Sequence, residues 1–323
     1  MIDFIVTLLL ASTIMVGLMG LGVALTMPFH GALIRLRANY NPKAIGLEGA
    51  ENRVGPTLTS LFGTLRRVKR LEGWYGLYKG SYPMLAFTTL ISIASVIFVG
   101  GSSTRGARGT YSVPESGGVQ MALFTIVLTV ISLPMTIIVN RAIITPYKLP
   151  NSARKSLSIL LSTSELARPW TLYLTPGLLL ASALHSLCVT FLARTMRTLF
   201  LGPPVAADVW NDVAWWRWVL FSLWQGIAAG WLSPLEVIAT RLSVQPNQGG
   251  AMGGAAPDHS EGETPEGVEY CGADEDVIGL RPTDDSYTGV VDCARKLIEE
   301  EGWQSLYRGW WWTLLGNVAA VFA

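Results

Sequence analysis

The sequence predicts an all-α membrane protein: a bundle of six transmembrane helices built from three pseudo-symmetric repeats, with short amphipathic helices on its surface. Three observations carry this expectation. Half of the 323 residues are hydrophobic and only 15% are charged. The apolar residues come in blocks: no Asp, Glu, Lys or Arg occurs between Asp3 and Arg35, from Gly80 to Thr104, Ser116 to Asn140, Pro169 to Ala193, Trp218 to Leu235, or from Gly309 to Ala323. A bilayer core takes about 20 apolar helical residues, so the first four blocks qualify by length and the last two are short. The third observation is self-similarity, since PFHGALIRL at Pro28, PMTIIVNRA at Pro134 and PLEVIATRL at Pro234 each place an arginine seven residues after the proline.

The first block lacks a basic leader and carries Asp3, so it reads as a retained helix rather than a secretory signal. Each repeat then continues the same way. An apolar helix with a proline near its polar end leads into a polar loop with an amphipathic piece, namely Leu58 to Leu71, Ala153 to Leu166 and Val290 to Glu301. A Leu-Tyr pair follows (Leu77, Leu172, Leu306), and the second apolar helix opens just after it. Proline inside a membrane helix is tolerated where neighbours re-satisfy the freed carbonyl, so three prolines in register imply a repeated kink in a packed bundle. The boundaries are residues 1–100, 101–205 and 206–323, within one domain spanning 1–323. Residues 246–282 are Gly-rich and acidic and are expected to be a disordered insertion.

Charge is sorted along the chain: 14 of the 23 acidic residues lie between Asp258 and Glu301, and nine basic residues lie between Arg35 and Lys79. Such sorting suits membrane topology rather than nucleic-acid binding. Trp210, Trp215, Trp216 and Trp218, and Trp310, Trp311 and Trp312, sit where the fifth and sixth spans begin and read as headgroup-level anchors. Cys188, Cys271 and Cys293 have no paired spacing, and no metal, cofactor or catalytic motif is present in the sequence. An enzyme is not expected.

These residues resemble the mitochondrial carrier family, whose members carry three repeats of Px[DE]xx[KR]x[KR] followed by [DE]Gxxxx[WYF][KR]G. The third repeat is near in sequence, with PLEVIATRL from Pro234 and EGWQSLYRG from Glu301 to Gly309; the first keeps EGWYGLYKG from Glu72 to Gly80; the second is eroded to Pro134, Arg141 and LYLT. The resemblance implies a six-helix bundle around a central cavity, multi-pass in a mitochondrial membrane, inner by family habit with the outer membrane as the alternative. It implies transmembrane transport of a small solute by alternating access between two ion-pair gates.

The gate positions have diverged. Positions two and five after each proline lie about 60° apart on one helical face, and here they are His30 and Leu33, Thr136 and Val139, and Glu236 and Ala239. No repeat keeps both charges; Glu236 is expected to accept a hydrogen bond from His30 or Thr136. Opposite-gate positions, counted from the glycine, are Gly100 and Ser103, then Thr195 and Thr198, and the last stretch stops before its own is reached. Family substrate-contact positions, aligned through Gly80, Thr175 and Gly309, fall on Phe87 and Thr88, Ser182 and Ala183, and Gly316 and Asn317. None is charged, which points to a neutral or weakly charged solute. His185 is the one ionisable residue in mid-span, either a cavity contact or proton site or a neutral histidine bonded to a neighbouring helix. Arg35, Arg141 and Arg241 are expected as carbonyl caps or lipid-headgroup contacts. Lys79-Gly80 and Arg308-Gly309 open helices beside a basic side chain, an arrangement suited to a lipid phosphate, which the resemblance identifies with cardiolipin. The rival expectation is a carrier-derived scaffold or adaptor with a protein partner and no transport.

Overall fold

The computed structural model describes residues 2–42, 56–102, 104–105, 111–112, 119–202, 213–246, 269–272, 276–282 and 285–319. Three long helices carry the repeated prolines: α1 (Ile2–Ala38) with Pro28, α5 (Val119–Ile144) with Pro134 and α10 (Trp215–Val244) with Pro234. Each is followed by short helices and then by an apolar even-numbered partner. The first repeat has α2 (Leu61–Leu71), α3 (Gly73–Tyr78) and α4 (Ser81–Ser102). The second has α6 (Ala153–Leu160), α7 (Thr163–Ala167), a 3₁₀ turn at Pro169–Leu174 and α8 (Leu178–Leu187), which passes through a π turn at Cys188–Leu192 into α9 (Ala193–Leu201). The third has α11 (Val290–Lys296), a π turn at Leu297–Glu301, a 3₁₀ turn at Trp303–Tyr307 and α12 (Trp310–Ala319). A two-residue strand pair, β1 (Thr104–Arg105) with β2 (Tyr111–Ser112), sits beyond α4 and was not expected from the sequence.

Among the described residues, Thr13–Ala38, Leu123–Ile144 and Leu178–Leu201 form helices long and apolar enough to cross a membrane. The chain is thus a mostly helical protein with membrane-type helices. The helix α10 is longer than any of these stretches, yet its first half spends positions on Trp215, Trp216, Arg217, Trp218 and Trp224, which lower its hydropathy without making it polar.

Burial is concentrated at one end. Residues 31–38 of α1 are buried, as are residues 139–143 of α5 and 237–238 and 240–243 of α10. Towards their other ends the same helices expose Leu18, Leu21 and Leu25, Leu123 and Val127, and Leu223 and Ile227. So much exposed aliphatic surface would be an aggregation liability in water and is the expected coat in a bilayer. The three core clusters form three interfaces in a ring. Val23, Met27 and Ile34 of α1 meet Val139 and Ile143 of α5. Leu133 and Ile137 of α5, with Leu178 and Ala181 of α8, meet Val237, Ile238 and Leu242 of α10. Leu33 and Leu36 of α1 join Leu61 and Val68 of α2, with Trp311 and Trp312 of α12 packed against them.

Several expectations need correction here. Trp312 stacks on Phe29 at 6.0 Å and Trp311 on Phe62 at 6.2 Å, so these indoles join repeats three and one instead of merely marking a headgroup level; Trp210 lies outside the described residues. The amphipathic piece of the second repeat is broken in two because Ser162 starts a fresh helix with a capping box to Glu165. The insertion expected to be disordered is ordered at both described places. Residues 247–268 and 273–275 lie outside the described residues, but Glu269–Gly272 and Asp276–Pro282 are tied down, with Val277 and Ile278 buried 8% and 7% exposed. The reason is that this short stretch contributes two aliphatic side chains to the cluster around α2, which its Gly-rich, acidic neighbourhood hid.

Candidate functional site

At the closed end the three repeated arginines are buried, and each holds a glutamate. Arg35 Nη2 lies 2.6 Å from Glu72 Oε2. Arg141 grips Glu165 in two-pronged fashion, at 2.6 and 2.9 Å. Arg241 Nη2 lies 2.9 Å from Glu301 Oε1. All three arginines are at most 5% exposed, which overturns the headgroup half of the expectation and keeps the carbonyl half. Two of the glutamates head the EG motifs at Glu72 and Glu301; the third, Glu165, sits in SEL and is oriented by the Ser162 cap instead.

The carbonyl contacts run in a cycle. Arg241 of repeat three donates to Arg37 O at 2.6 Å and Asn39 O at 2.5 Å, at the end of α1. Arg141 of repeat two donates to Ser243 O at 3.3 Å and Gln245 O at 2.7 Å, at the end of α10. Lys79 of repeat one donates to Thr145 O at 2.6 Å, at the end of α5. Each repeat therefore spends one cation on the C-terminal carbonyls of another repeat's odd helix, where the helix dipole is negative. Lys79 also lies 3.2 Å from Glu72 Oε1, and burial pushes its ammonium below the usual lysine range, with Glu72 opposing. Arg308 joins Glu301 at 2.7 Å and also donates to Asn39 O. Both basic side chains are thus turned inward rather than towards a lipid phosphate; Gly80 and Gly309 still open α4 and α12 with left-handed backbones, φ +84° and +74°.

The matching glycine of the second repeat is Gly177, at φ +75°, and not the position of Thr175. A Cβ there would come within 2.6 Å of Val290 N, so the backbone of another repeat requires glycine. The Leu-Tyr echo misled the alignment because Leu172-Tyr173 stands two residues further from the turn than its counterparts do. Counting eight residues from each glycine now gives Thr88, His185 and Asn317. The shift takes Ser182 and Ala183 out of register and brings in Leu184 and His185 beside Phe87 and Thr88, and Gly316 and Asn317.

Residues 275–323 match the family model described as mitochondrial carrier protein. The match lies in the last part of the third repeat and supports a mitochondrial carrier-like protein. A comparison with curated proteins finds no match. The matched stretch includes Glu301, the inward-turned Arg308, Thr313 and Asn317.

A further charged knot, beside the carbonyl cycle, is centred on Glu236. Glu236 pairs with Arg37 of α1, and Thr313 of α12 donates to the same carboxylate oxygen at 2.5 Å. Arg37 also donates to Thr313 Oγ1 at 3.0 Å. The other carboxylate oxygen faces His185 Nε2 of α8 at 3.2 Å. Glu236 so joins α1, α8, α10 and α12. Its expected partners do not bond it: the hydroxyl of Thr136 donates to Ser132 O in its own helix, and among the described contacts none links His30 to Glu236. Leu33 and Val139 are buried in apolar clusters, so at those positions packing has replaced charge. Arg37 was missed because it stands nine residues after Pro28, outside the repeated spacing. Of the remaining contact candidates, Asn317 donates to Gln225 O of α10 at 3.2 Å, and the Thr88 hydroxyl donates back to Met84 O and Leu85 O.

Proposed function

We propose that this chain is a member of the mitochondrial carrier family that moves a small neutral or weakly charged solute across a mitochondrial membrane, with six helices spanning it and the inner membrane the first choice by family habit. The observation that carries the reading is the polar set Thr88, His185 and Asn317, one per even helix at matching positions, above a single charged knot at Glu236. That set holds no Lys or Arg to meet a strongly anionic substrate, and hydroxyl, imidazole and amide groups suit a solute recognised by neutral hydrogen bonds. Glu236 of repeat three acts as an ion-paired latch that must release Arg37 of repeat one for the closed end to open.

Purified protein in liposomes, tested for uptake and exchange over a panel of neutral and zwitterionic metabolites, is the test. Uptake that is lost in His185→Ala and in Asn317→Ala, with the folded protein intact, is the expected result. No uptake of any panel solute, nor of anionic metabolites tested beside it, counts for the scaffold reading instead.

A further inference from the structure

The ordered parts of the insertion touch all three repeats at the closed end. Glu269–Gly272 lies beside the end of α5: Lys148 N donates to Glu269 O at 2.8 Å, Cys271 N donates to Pro146 O at 2.8 Å, and Tyr147 and Tyr270 pair as an antiparallel bridge with rings 4.8 Å apart. Asp276–Pro282 lies against repeat one. Tyr40 N donates to Gly279 O at 2.8 Å, Gly279 N donates to Asn39 Oδ1 at 2.9 Å, and Arg67 donates to Val277 O at 3.2 Å and Asp276 O at 3.0 Å. Val277 and Ile278 fill the cluster between α1 and α2. The same piece returns to repeat three through Arg281, which contacts Glu300 at 2.7 and 2.8 Å and lies over the rings of both Tyr40 and Tyr287.

We propose that Glu269–Gly272 and Asp276–Pro282 form a strap that holds the bundle shut at its amphipathic-helix end, and that detaching the strap precedes opening of that end. The carbonyl cycle and the Glu236 latch fix the helix ends to one another from inside; the strap fixes them from outside, using main-chain hydrogen bonds to repeats one and two and a bidentate guanidinium to repeat three. A strap anchored by two aliphatic side chains and one arginine is detachable without unfolding any helix. What it gates rests on the transport reading, so the experiment reads access to the closed end rather than uptake.

The test uses full-length protein with Cys188, Cys271 and Cys293 replaced by serine and a single reporter, Ser243→Cys, at a fully buried position in the closed end. Its reaction with a charged methanethiosulfonate reagent is timed in detergent. Val277→Asp with Ile278→Asp should raise the labelling rate by at least about tenfold. Tyr147→Cys with Tyr270→Cys, positions opposed as a close antiparallel pair and so suited to a disulfide, should lower the rate at position 243 below the parent when oxidised and restore it once reduced and freed of reductant, the label being read by mass spectrometry on the peptide that carries position 243 so that the two added thiols are not counted. Should the aspartates unfold the chain, the disulfide arm decides alone, because it removes no buried contact. A labelling rate that is the same oxidised and reduced overturns the strap; a rate that falls on oxidation supports it even if no liposome uptake is ever found.

Discussion

Replacing Gly177 by alanine adds a methyl group 2.6 Å from Val290 N at a left-handed backbone, while the same change at Gly230 meets nothing within 4 Å on a regular helix. The first should cost upwards of about 2 kcal/mol from conformation and overlap. The second should stabilise by up to about 1 kcal/mol through helix propensity. Thermal unfolding in detergent separates them, and equal midpoints would remove Gly177 from the repeat register. The buried pairs make a second residue-scale prediction. Arg141→Ala leaves Glu165 charged at 0% exposure and should cost about 3–5 kcal/mol, seen as loss of monodisperse protein, whereas Arg141→Met with Glu165→Leu should recover most of it. The arginine half of these pairs was legible in the sequence through its fixed spacing from proline. Glu165 was not, because it lies outside the EG motif, and its one visible mark was the capping box begun by Ser162. Arg37 left no mark at all, since only the fold brings it to Glu236.

At the scale of elements, the strap makes a prediction about pH. Burial works against the Glu300 carboxylate, but hydrogen bonds from Arg281 and Tyr40 outweigh it and hold the group below the usual glutamate range. A depressed folded value means that the contribution is complete above the unfolded value of about 4.3 and is lost as pH falls through the lower folded one. The Tyr40 hydroxyl moves the other way, to about 12, raised by burial and then by its bond to Glu300, so its contribution is complete below about 10 and lost only at strongly alkaline pH. The stability gap between the parent and Glu300→Gln should therefore stay level from about pH 5 to pH 8 and narrow below about 4.3. A gap that widens on acidification would show that Arg281 does not hold Glu300 as a carboxylate. The odd helices were legible because charge-free blocks and proline positions are one-dimensional signals. The strap was not, since two buried aliphatic residues in a Gly-rich acidic stretch vanish in an averaged composition.

For the whole molecule, burial at one end and exposed aliphatic surface at the other predict an asymmetric response to reagents. In liposomes of one orientation, a cysteine at Leu33 or Ser243 should resist an impermeant thiol reagent, and one at Thr88 or Ser182 should react from the opposite side; equal protection at all four would contradict closure at a single end. The repeat count and order could be read from sequence, whereas the register of the second repeat needed backbone angles, because a two-residue shift in a short turn leaves the helix pattern untouched. The carbonyl cycle has a consequence for how this closure tolerates change. Its five acceptors are main-chain oxygens, present whatever side chain occupies the position, so side-chain substitution can dismantle the ring only through its donors Lys79, Arg141 and Arg241. So far as this ring is concerned, the chain is free to vary the side chains at Thr145 and Gln245, where only the carbonyl is used, and still shut.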